Sequence, residues 1–312
     1  MLRPAAALAA ALLALAAPAL GAPKVVASIK PVHSLVAGVM AGVGEPALLV
    51  GGNASPHNYA MRPADAKALA AADLVFWVGP ELEGFLEKPI MRARKGAAVT
   101  LLGLDGLTLL PLREGGLFEA GDHGHGHGHG HGDHAGEPGD VDGHIWLDPD
   151  NARRIVAAAA ERLAAVDPAN AAAYAANAAR MDERIAALDA ELAARLAPLK
   201  GRPFVVFHDA YHYFEAHYGV EAAGAITVNP ERPPGAKRLK AIHDKLAATA
   251  AACVFAEPQF EPKLVQSVLA GTAARSGTLD PEGARLKDGP DLYFGLMRDL
   301  ADSLSGCLNK AG

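Results

Sequence analysis

The sequence predicts an α/β protein made of two lobes of βα units with parallel sheets, joined by one long rigid helix. Short β-branched runs alternate with Ala-rich helical stretches, and this alternation stops at a long helical segment and then starts again. The chain of 312 residues is also longer than most domains with a single core. A composition of 51% hydrophobic and 21% charged residues is typical of a folded chain.

The first 22 residues predict export from the cytoplasm. Arg3 precedes an Ala/Leu-rich run, and small residues follow at 18–22, which is the order of segments in a signal peptide. The apolar run is too short to favour a membrane anchor, and no cysteine follows it for lipidation. We therefore expect cleavage near Gly21 or Ala22 and a soluble mature protein.

Four βα units are predicted in the first lobe, residues 23–166. Runs rich in β-branched and aromatic residues, bounded by Gly, Pro and polar residues, indicate its strands. These runs lie at 25–29, 47–50, 74–78 and 97–101. Helices are predicted at 34–43 and 63–71, and a third at 149–166 has Pro149 in its first turn, where proline is favourable.

A long Ala-rich helix is predicted over 167–198 as the link between the lobes. Apolar residues recur along it at spacings of three and four, at Met181, Ile185, Leu188, Leu192 and Leu196. Such a helix is roughly 40 Å long at 1.5 Å per residue. An ordinary packed helix is the alternative, but a second set of strands begins directly after it.

The second lobe, residues 199–312, repeats the plan of the first. Its strands are predicted at 204–207, 222–227, 253–256 and 276–279. Ligands of open α/β sheets bind at the carboxyl ends of the strands. A site in the cleft between the lobes should therefore take residues that directly follow strands in both halves.

Charge and motifs exclude several function classes. The formal net charge is −6, and no run of Lys or Arg favours nucleic acid or an anionic membrane as a partner. The sequence lacks the H-E-x-x-H, G-x-S-x-G and G-x-x-x-x-G-K-[ST] motifs of common enzyme classes. A binding protein is favoured over an enzyme.

Six of the thirteen histidines lie in a Gly/His tract at 122–134, which is predicted to be a loop within the first lobe. They are His123, His125, His127, His129, His131 and His134. Glycine spacers impose no geometry on the imidazoles, so the tract predicts an auxiliary metal site of low affinity. A solvated insertion without function is the alternative.

Three other histidines each follow a strand or a loop, and they come from both lobes. His57, His144 and His208 could meet only where the lobes face each other, and three neutral imidazoles suit zinc. Asp280 follows the last predicted strand and could supply a carboxylate as the fourth ligand. A hydrogen-bonded structural role is the alternative for each histidine, and a turn-forming role is the alternative for Asp280.

The two cysteines, Cys253 and Cys307, form an even pair in a chain predicted to be exported. Because oxidising compartments allow disulfides to persist, we expect these two residues to be bonded to each other. Two buried free thiols are the alternative.

Several motifs resemble those of the metal-binding substrate-binding proteins of zinc and manganese ABC importers, and most closely those of ZnuA-like zinc-uptake proteins. The motifs are VASIKP at 26–31, ASPHNY at 54–59, DLVFWVGP at 73–80, HIWLDP at 144–149, FHDAY at 207–211 and FAEPQF at 255–260. The resemblance implies a periplasmic carrier whose ligands are the three histidines above. It also implies a disulfide in the second lobe that matches the two cysteines.

The resemblance further implies Zn²⁺ as the transported ligand, and a membrane permease with its cytoplasmic ATPase as the partner of a monomeric carrier. Manganese-selective members tend to have a carboxylate at the position of His208. Some zinc members use a Glu directly before the first histidine, where this chain has Pro56, so Asp280 or water remains for the fourth position. The alternatives are a manganese or iron carrier, a metal-dependent adhesin, and a zinc hydrolase or hydratase.

Overall fold

The computed structural model describes residues 21–92, 96–113, 141–227, 230, 234–249 and 251–309. The predicted signal peptide, apart from its last two residues, and all six histidines of the Gly/His tract lie outside the described residues. Among the described helices, none is both long enough and apolar enough to span a bilayer.

The first lobe contains a four-stranded parallel sheet in the order β2-β1-β3-β4. Its strands are β1 Val25–Ile29, β2 Ala47–Val50, β3 Leu74–Trp77 and β4 Ala98–Thr100. Its helices are α1 Lys30–Met40, α2 Pro63–Ala71, α3 Glu87–Arg92 and α4 Pro149–Val166. Strands β1 and β3 are buried along their whole length, as expected for a parallel sheet covered on both faces.

The second lobe contains a sheet of the same design, in the order β6-β5-β7-β8. Its strands are β5 Phe204–His208, β6 Ala222–Thr227, β7 Cys253–Ala256 and β8 Arg275–Thr278. Its helices are α6 His212–Tyr218, α7 Ala236–Thr249, α8 Lys263–Leu269 and α9 Leu292–Leu308. The prediction of two lobes with parallel sheets is confirmed.

Helix α5, Ala171–Leu196, is the predicted long helix and packs against helices of both lobes. Its 26 residues span about 39 Å. The five apolar residues predicted to form its buried face are all buried. Single turns of 3-10 helix precede and follow it at Pro168–Asn170 and Ala197–Leu199. The domain limits at 166/167 and 198/199 stay a prediction.

Helix α1 begins earlier than the sequence predicts, and no helix was predicted at the position of α9. Helix α1 begins at Lys30, four residues before the predicted start, because Pro31 occupies its first turn, where a missing N–H is harmless. Helix α9 packs against α1 and α5, so it too joins the lobes. The backbone N–H of Tyr293 donates to Oγ of Ser34 at 2.9 Å across this contact.

The predicted disulfide between Cys253 and Cys307 is confirmed. It joins β7 to the last turns of α9, across 54 residues of sequence. The helix that touches both lobes is thereby covalently fixed to the second sheet.

His217, near the end of α6, forms ion pairs with two carboxylates from different helices. Its Nε2 lies 2.8 Å from Oδ1 of Asp189 on α5, and its Nδ1 lies 3.2 Å from Oδ1 of Asp148, the residue before α4. The hydrogen bond to Asp148 is the main reason that the pKa of His217 rises to about 9. The imidazolium therefore connects α4, α5 and α6 at neutral pH.

We expect His217→Gln to lower stability in a pH-dependent way. The folded-state pKa of His217, about 9, exceeds the unfolded value of 6.5. The ion pairs of His217 therefore contribute fully to the free energy of unfolding below about pH 6.5, and this contribution is lost as pH rises through about 9. The variant should lose about 3 kcal/mol of unfolding free energy at pH 6 and almost none near pH 10, as measured by urea unfolding of the metal-free protein. His243→Gln, on the partly exposed face of α7, serves as a matched control. An equal loss at both pH values would contradict the ion-pair explanation.

Candidate metal centre

Three histidines converge where the carboxyl ends of the two sheets face each other. His57 lies on the loop after β2, His144 lies directly before the 3-10 turn that leads into α4, and His208 is the last residue of β5. Their ring centroids are 5.2 to 5.5 Å apart. One nitrogen from each ring lies within 4.8 Å of the other two.

The nitrogen spacing suits a single small cation. Nε2 of His144 and Nε2 of His208 are 3.3 Å apart. Two ligands of a tetrahedral zinc ion, each at about 2.0 to 2.1 Å from the metal, are themselves roughly 3.3 Å apart. The third ring, that of His57, has its Nε2 buried and without a hydrogen-bond partner among the described residues.

A carboxylate orients each of the two most buried rings. Oδ1 of Asp142 accepts from the backbone N–H of His144 and lies 2.6 Å from its Nδ1. Both oxygens of Glu257 lie 2.7 Å from Nδ1 of His208. When Nδ1 donates its proton to a carboxylate, the lone pair of Nε2 is free for a metal, and the ring becomes a stronger ligand.

The local sequence explains these positions. In the segment at 142–144, Asp142 accepts from the N–H two residues later, a turn that aspartate favours. Gly52 adopts a φ of +66° in the loop after β2, a conformation that glycine accommodates without strain. Farther along this loop, Oγ of Ser55 accepts from the backbone N–H of His57 at 3.3 Å.

The rings differ in their affinity for protons. Burial, followed by the neighbouring imidazoles of His144 and His208, holds the pKa of His57 well below its usual value. Burial also disfavours the charged form of His208, but the adjacent Glu257 carboxylate prevails and raises the pKa of His208. His57 is therefore neutral over the physiological range and is available as a ligand.

The rings line a small cavity of about 10 Å³. Residues from both lobes surround it, among them His57, His144, His208, Glu257, Gln259 and Glu282. This volume accommodates one ion or one water molecule. A cavity of this size, lined by three imidazoles, is suited to an ion.

The structure does not bring Asp280 to the three histidines. Its carboxylate accepts from the backbone N–H groups of Glu282, Gly283 and Ala284 at 2.7 to 3.1 Å, and from Nε2 of Gln259 at 2.8 Å. It holds the turn after β8, and it is absent from the residues that line the cavity. Its role as a metal ligand stays a prediction without geometric support.

The sequence analysis did not identify Asp142 or Glu257 as partners of the candidate ligands. Glu257 lies 3.3 Å from the backbone nitrogen of His208, and its shorter contacts, at 2.7 Å, are to Nδ1 of the imidazole. The signal for Asp142 was its position two residues before a candidate ligand, where an aspartate can reach both the backbone and the ring.

A second cluster in the described residues contains Asp148, Asp150 and His217. Both ring nitrogens of His217 already pair with carboxylates, and Asp150 pairs with Arg153 at 3.4 Å. Oδ1 of Asp148 also caps α4. Because all three side chains already have partners, we interpret this cluster as a structural one and not as a metal site.

Comparison with known proteins identifies the family. A family described as zinc-uptake complex component A, periplasmic, matches residues 25–307. The chain belongs to the ZnuA family. This is a family of transport components and not of enzymes.

Relatives of this family match the chain along nearly its whole length. The high-affinity zinc uptake system protein ZnuA of Brucella suis biovar 1 is 51% identical over 306 residues, which cover 92% of each chain. The protein of the same name from Yersinia pestis is 39% identical over 290 residues, covering 91% of each. A solved crystal structure of ZnuA, 25% identical, superposes with a TM-score of 0.75 and covers 92% of this chain and 99% of its own.

Proposed function

We propose that this protein binds Zn²⁺ between its two lobes with high affinity and delivers it to an ABC importer for zinc uptake. The observation that carries the proposal is the convergence of His57, His144 and His208, whose ligand nitrogens lie within 4.8 Å of one another, with Nε2 of His144 and Nε2 of His208 at the spacing of two zinc ligands. Membership of the ZnuA family supports the same conclusion.

Imidazole ligands favour zinc over manganese. Zn²⁺ is a borderline ion that binds nitrogen well, whereas Mn²⁺ prefers oxygen donors. All three ring ligands here are imidazoles, and the carboxylates of Asp142 and Glu257 are engaged with their Nδ1 atoms. This donor set supports zinc as the transported ion and counts against the manganese or iron carrier.

Contacts between the lobes restrict how far the cleft can open. Lys30 of the first lobe donates to the carbonyl oxygens of Ala284 and Leu286 at 3.1 and 2.9 Å. Nε1 of Trp146 donates to the carbonyl of Pro281 at 2.9 Å. Together with α5 and α9, these contacts support ion capture by a small movement of the lobes.

The remaining parts of the proposal concern the cell. The mature protein, after removal of residues 1–22, works as a soluble monomer in the periplasm and docks on a membrane permease that a cytoplasmic ATPase drives. The Gly/His tract at 122–134 collects zinc at low affinity. Export is supported by the sequence of the amino terminus and by the periplasmic family.

Competition between metals tests the proposal. The mature protein, incubated with equal free concentrations of Zn²⁺ and Mn²⁺, should retain one tightly bound Zn²⁺ and exclude Mn²⁺ by at least about 100-fold. A bacterial strain that lacks its own zinc carrier should regain growth in zinc-poor medium when it expresses this chain. Retention of Mn²⁺ under competition, or no restored growth although the protein is exported, would refute the proposal.

A further inference from the structure

The segment that leads to His144 pairs with an earlier segment of the first lobe. Pro111 and Val141 form an antiparallel β-bridge. Beside this bridge, the backbone N–H of Asp142 donates to the carbonyl of Leu110 at 2.9 Å. The carboxylate of the same Asp142 accepts from the backbone N–H of His144 and lies 2.6 Å from its Nδ1. The position of the paired segments therefore contributes to the orientation of the His144 ring.

Tyr213 of the second lobe connects both of these segments through its hydroxyl group. This buried residue lies on α6, which also packs against the 3-10 turn that follows His144. The hydroxyl oxygen accepts from the backbone N–H of Leu110 at 3.0 Å, and the hydroxyl donates to the backbone carbonyl of Asp142 at 2.9 Å. One side chain of the second lobe thus satisfies two backbone groups of the first.

Burial makes these two hydrogen bonds specific. Water cannot readily replace the hydroxyl at the buried carbonyl of Asp142, and an unpaired backbone group inside a protein is unfavourable. Burial is also the main reason that the pKa of Tyr213 is raised above its usual value, so the hydroxyl keeps the proton that it donates. The hydroxyl therefore favours one position of Asp142 over others.

Arg113 makes a second connection between the lobes, in the opposite direction. It lies on the first of the paired segments, and its Nε donates to both carboxylate oxygens of Asp209 at 3.0 Å. Its Nη1 lies 2.7 Å from Oε2 of Glu215 on α6. Asp209 directly follows His208, so this ion pair fixes the paired segments relative to the strand end that carries the histidine of the second lobe.

We propose that Tyr213 is a positioning residue for zinc binding, whose hydroxyl holds Asp142 and, through it, the imidazole of His144. This inference rests on the proposed function and specifies how the second lobe sets the geometry of a ligand on the first. Tyr213 does not touch the ion. Zinc affinity thereby depends on the contact between α6 and the first lobe.

The test removes the hydroxyl and keeps the ring, so that the packing of α6 is retained. Tyr213→Phe should raise the dissociation constant of the mature protein for Zn²⁺ about fivefold or more in chelator competition. It should also change the visible absorption spectrum of the Co²⁺-substituted protein, which reports the geometry of the ligands. The metal-free variant should unfold at a lower urea concentration than the wild type, because two backbone groups lose their partner.

Tyr174→Phe is the matched control for a purely structural effect. Tyr174 on α5 is also buried, and its hydroxyl donates to Oδ2 of Asp167 at 2.7 Å, between α4 and α5. The same chemical change there should lower the urea concentration of unfolding but leave the zinc affinity and the Co²⁺ spectrum unchanged. The comparison separates loss of stability from loss of ligand orientation.

A double-mutant cycle tests whether Tyr213 acts through Asp142. Asp142→Ala alone should weaken zinc binding by about 10- to 100-fold, because the ring of His144 loses the carboxylate that orients it. In that background, Tyr213→Phe should change the affinity by less than about twofold.

Two outcomes would overturn the inference. One is wild-type zinc affinity and Co²⁺ spectrum in Tyr213→Phe, and the other is a full, additive loss when Tyr213→Phe is combined with Asp142→Ala. A wild-type protein that binds no zinc would instead refute the proposed function itself, so the two failures are distinguishable.

Discussion

Replacing His208 by alanine should weaken zinc binding by about a thousandfold or more, the largest effect that we expect from a single substitution. The variant loses one of three imidazole ligands, and it leaves the carboxylate of Glu257 buried without its ring partner. A thousandfold change corresponds to about 4 kcal/mol of binding free energy. Competition with a chromogenic chelator measures the affinity directly.

Two further variants make this result specific. Glu257→Gln keeps the ring of His208 but weakens its orientation, so zinc affinity should fall by about 10- to 100-fold, less than in His208→Ala. His243→Ala, on α7 and away from the cavity, should bind zinc as the wild type does. If His208→Ala retained wild-type affinity while remaining folded, the three-histidine site would be wrong.

Removal of the disulfide should have the largest effect on stability. Because the two cysteines are separated by 54 positions in the sequence, the loop-closure model gives a loss of about 4 kcal/mol in the free energy of unfolding for the double variant Cys253→Ser/Cys307→Ser. The disulfide ties β7 to α9, and α9 also packs on α1 of the first lobe. The fixed position of α9 therefore matters to both lobes.

Urea unfolding of the metal-free protein measures this loss. A reducing agent should destabilise the wild type by a similar amount and should leave the double variant unchanged, which separates the disulfide from any other effect of reduction. A loss below about 1 kcal/mol would show that packing of α9 alone determines its position.

The two-lobed fold could be predicted because strands and helices alternate along the chain and each leaves a local sequence pattern. Strands buried on both faces need continuous apolar runs, such as the run from Val25 to Ile29, and helices on those faces need the 3.6-residue period seen in α5. Both signals are local in sequence. The helix predicted at 34–43 in fact begins at Lys30, where Pro31 lies in the first turn, a position that proline favours.

Contacts between residues that are distant in sequence have no such local signal. The spacing of apolar residues along α9 does not show that Tyr293 at its start hydrogen-bonds to Ser34 in the first lobe. The three histidines could be predicted because each follows a strand or loop at the end of the sheet where ligands bind. By the same rule Asp280 was a reasonable candidate, but the rule cannot show where a side chain points within a turn.

The turn after β8 shows this limit most clearly. Asp280 directs its carboxylate to three backbone N–H groups of its own turn, as aspartates in turns often do. Glu282, two residues later, lines the cavity instead. The first lobe holds this turn through the hydrogen bonds of Trp146 and Lys30 to its backbone carbonyls. Which of the two carboxylates faces the cavity therefore depends on tertiary contacts.

The most direct test of the zinc site is anomalous diffraction at the zinc absorption edge, from crystals of the zinc-loaded protein that lacks residues 122–134. Removal of the tract ensures that any tightly bound ion reports on the site between the lobes. Our account predicts one strong peak per chain, about 2.0 to 2.1 Å from a ring nitrogen of each of His57, His144 and His208. A peak elsewhere, or one that contacts fewer than two of these rings, would contradict it.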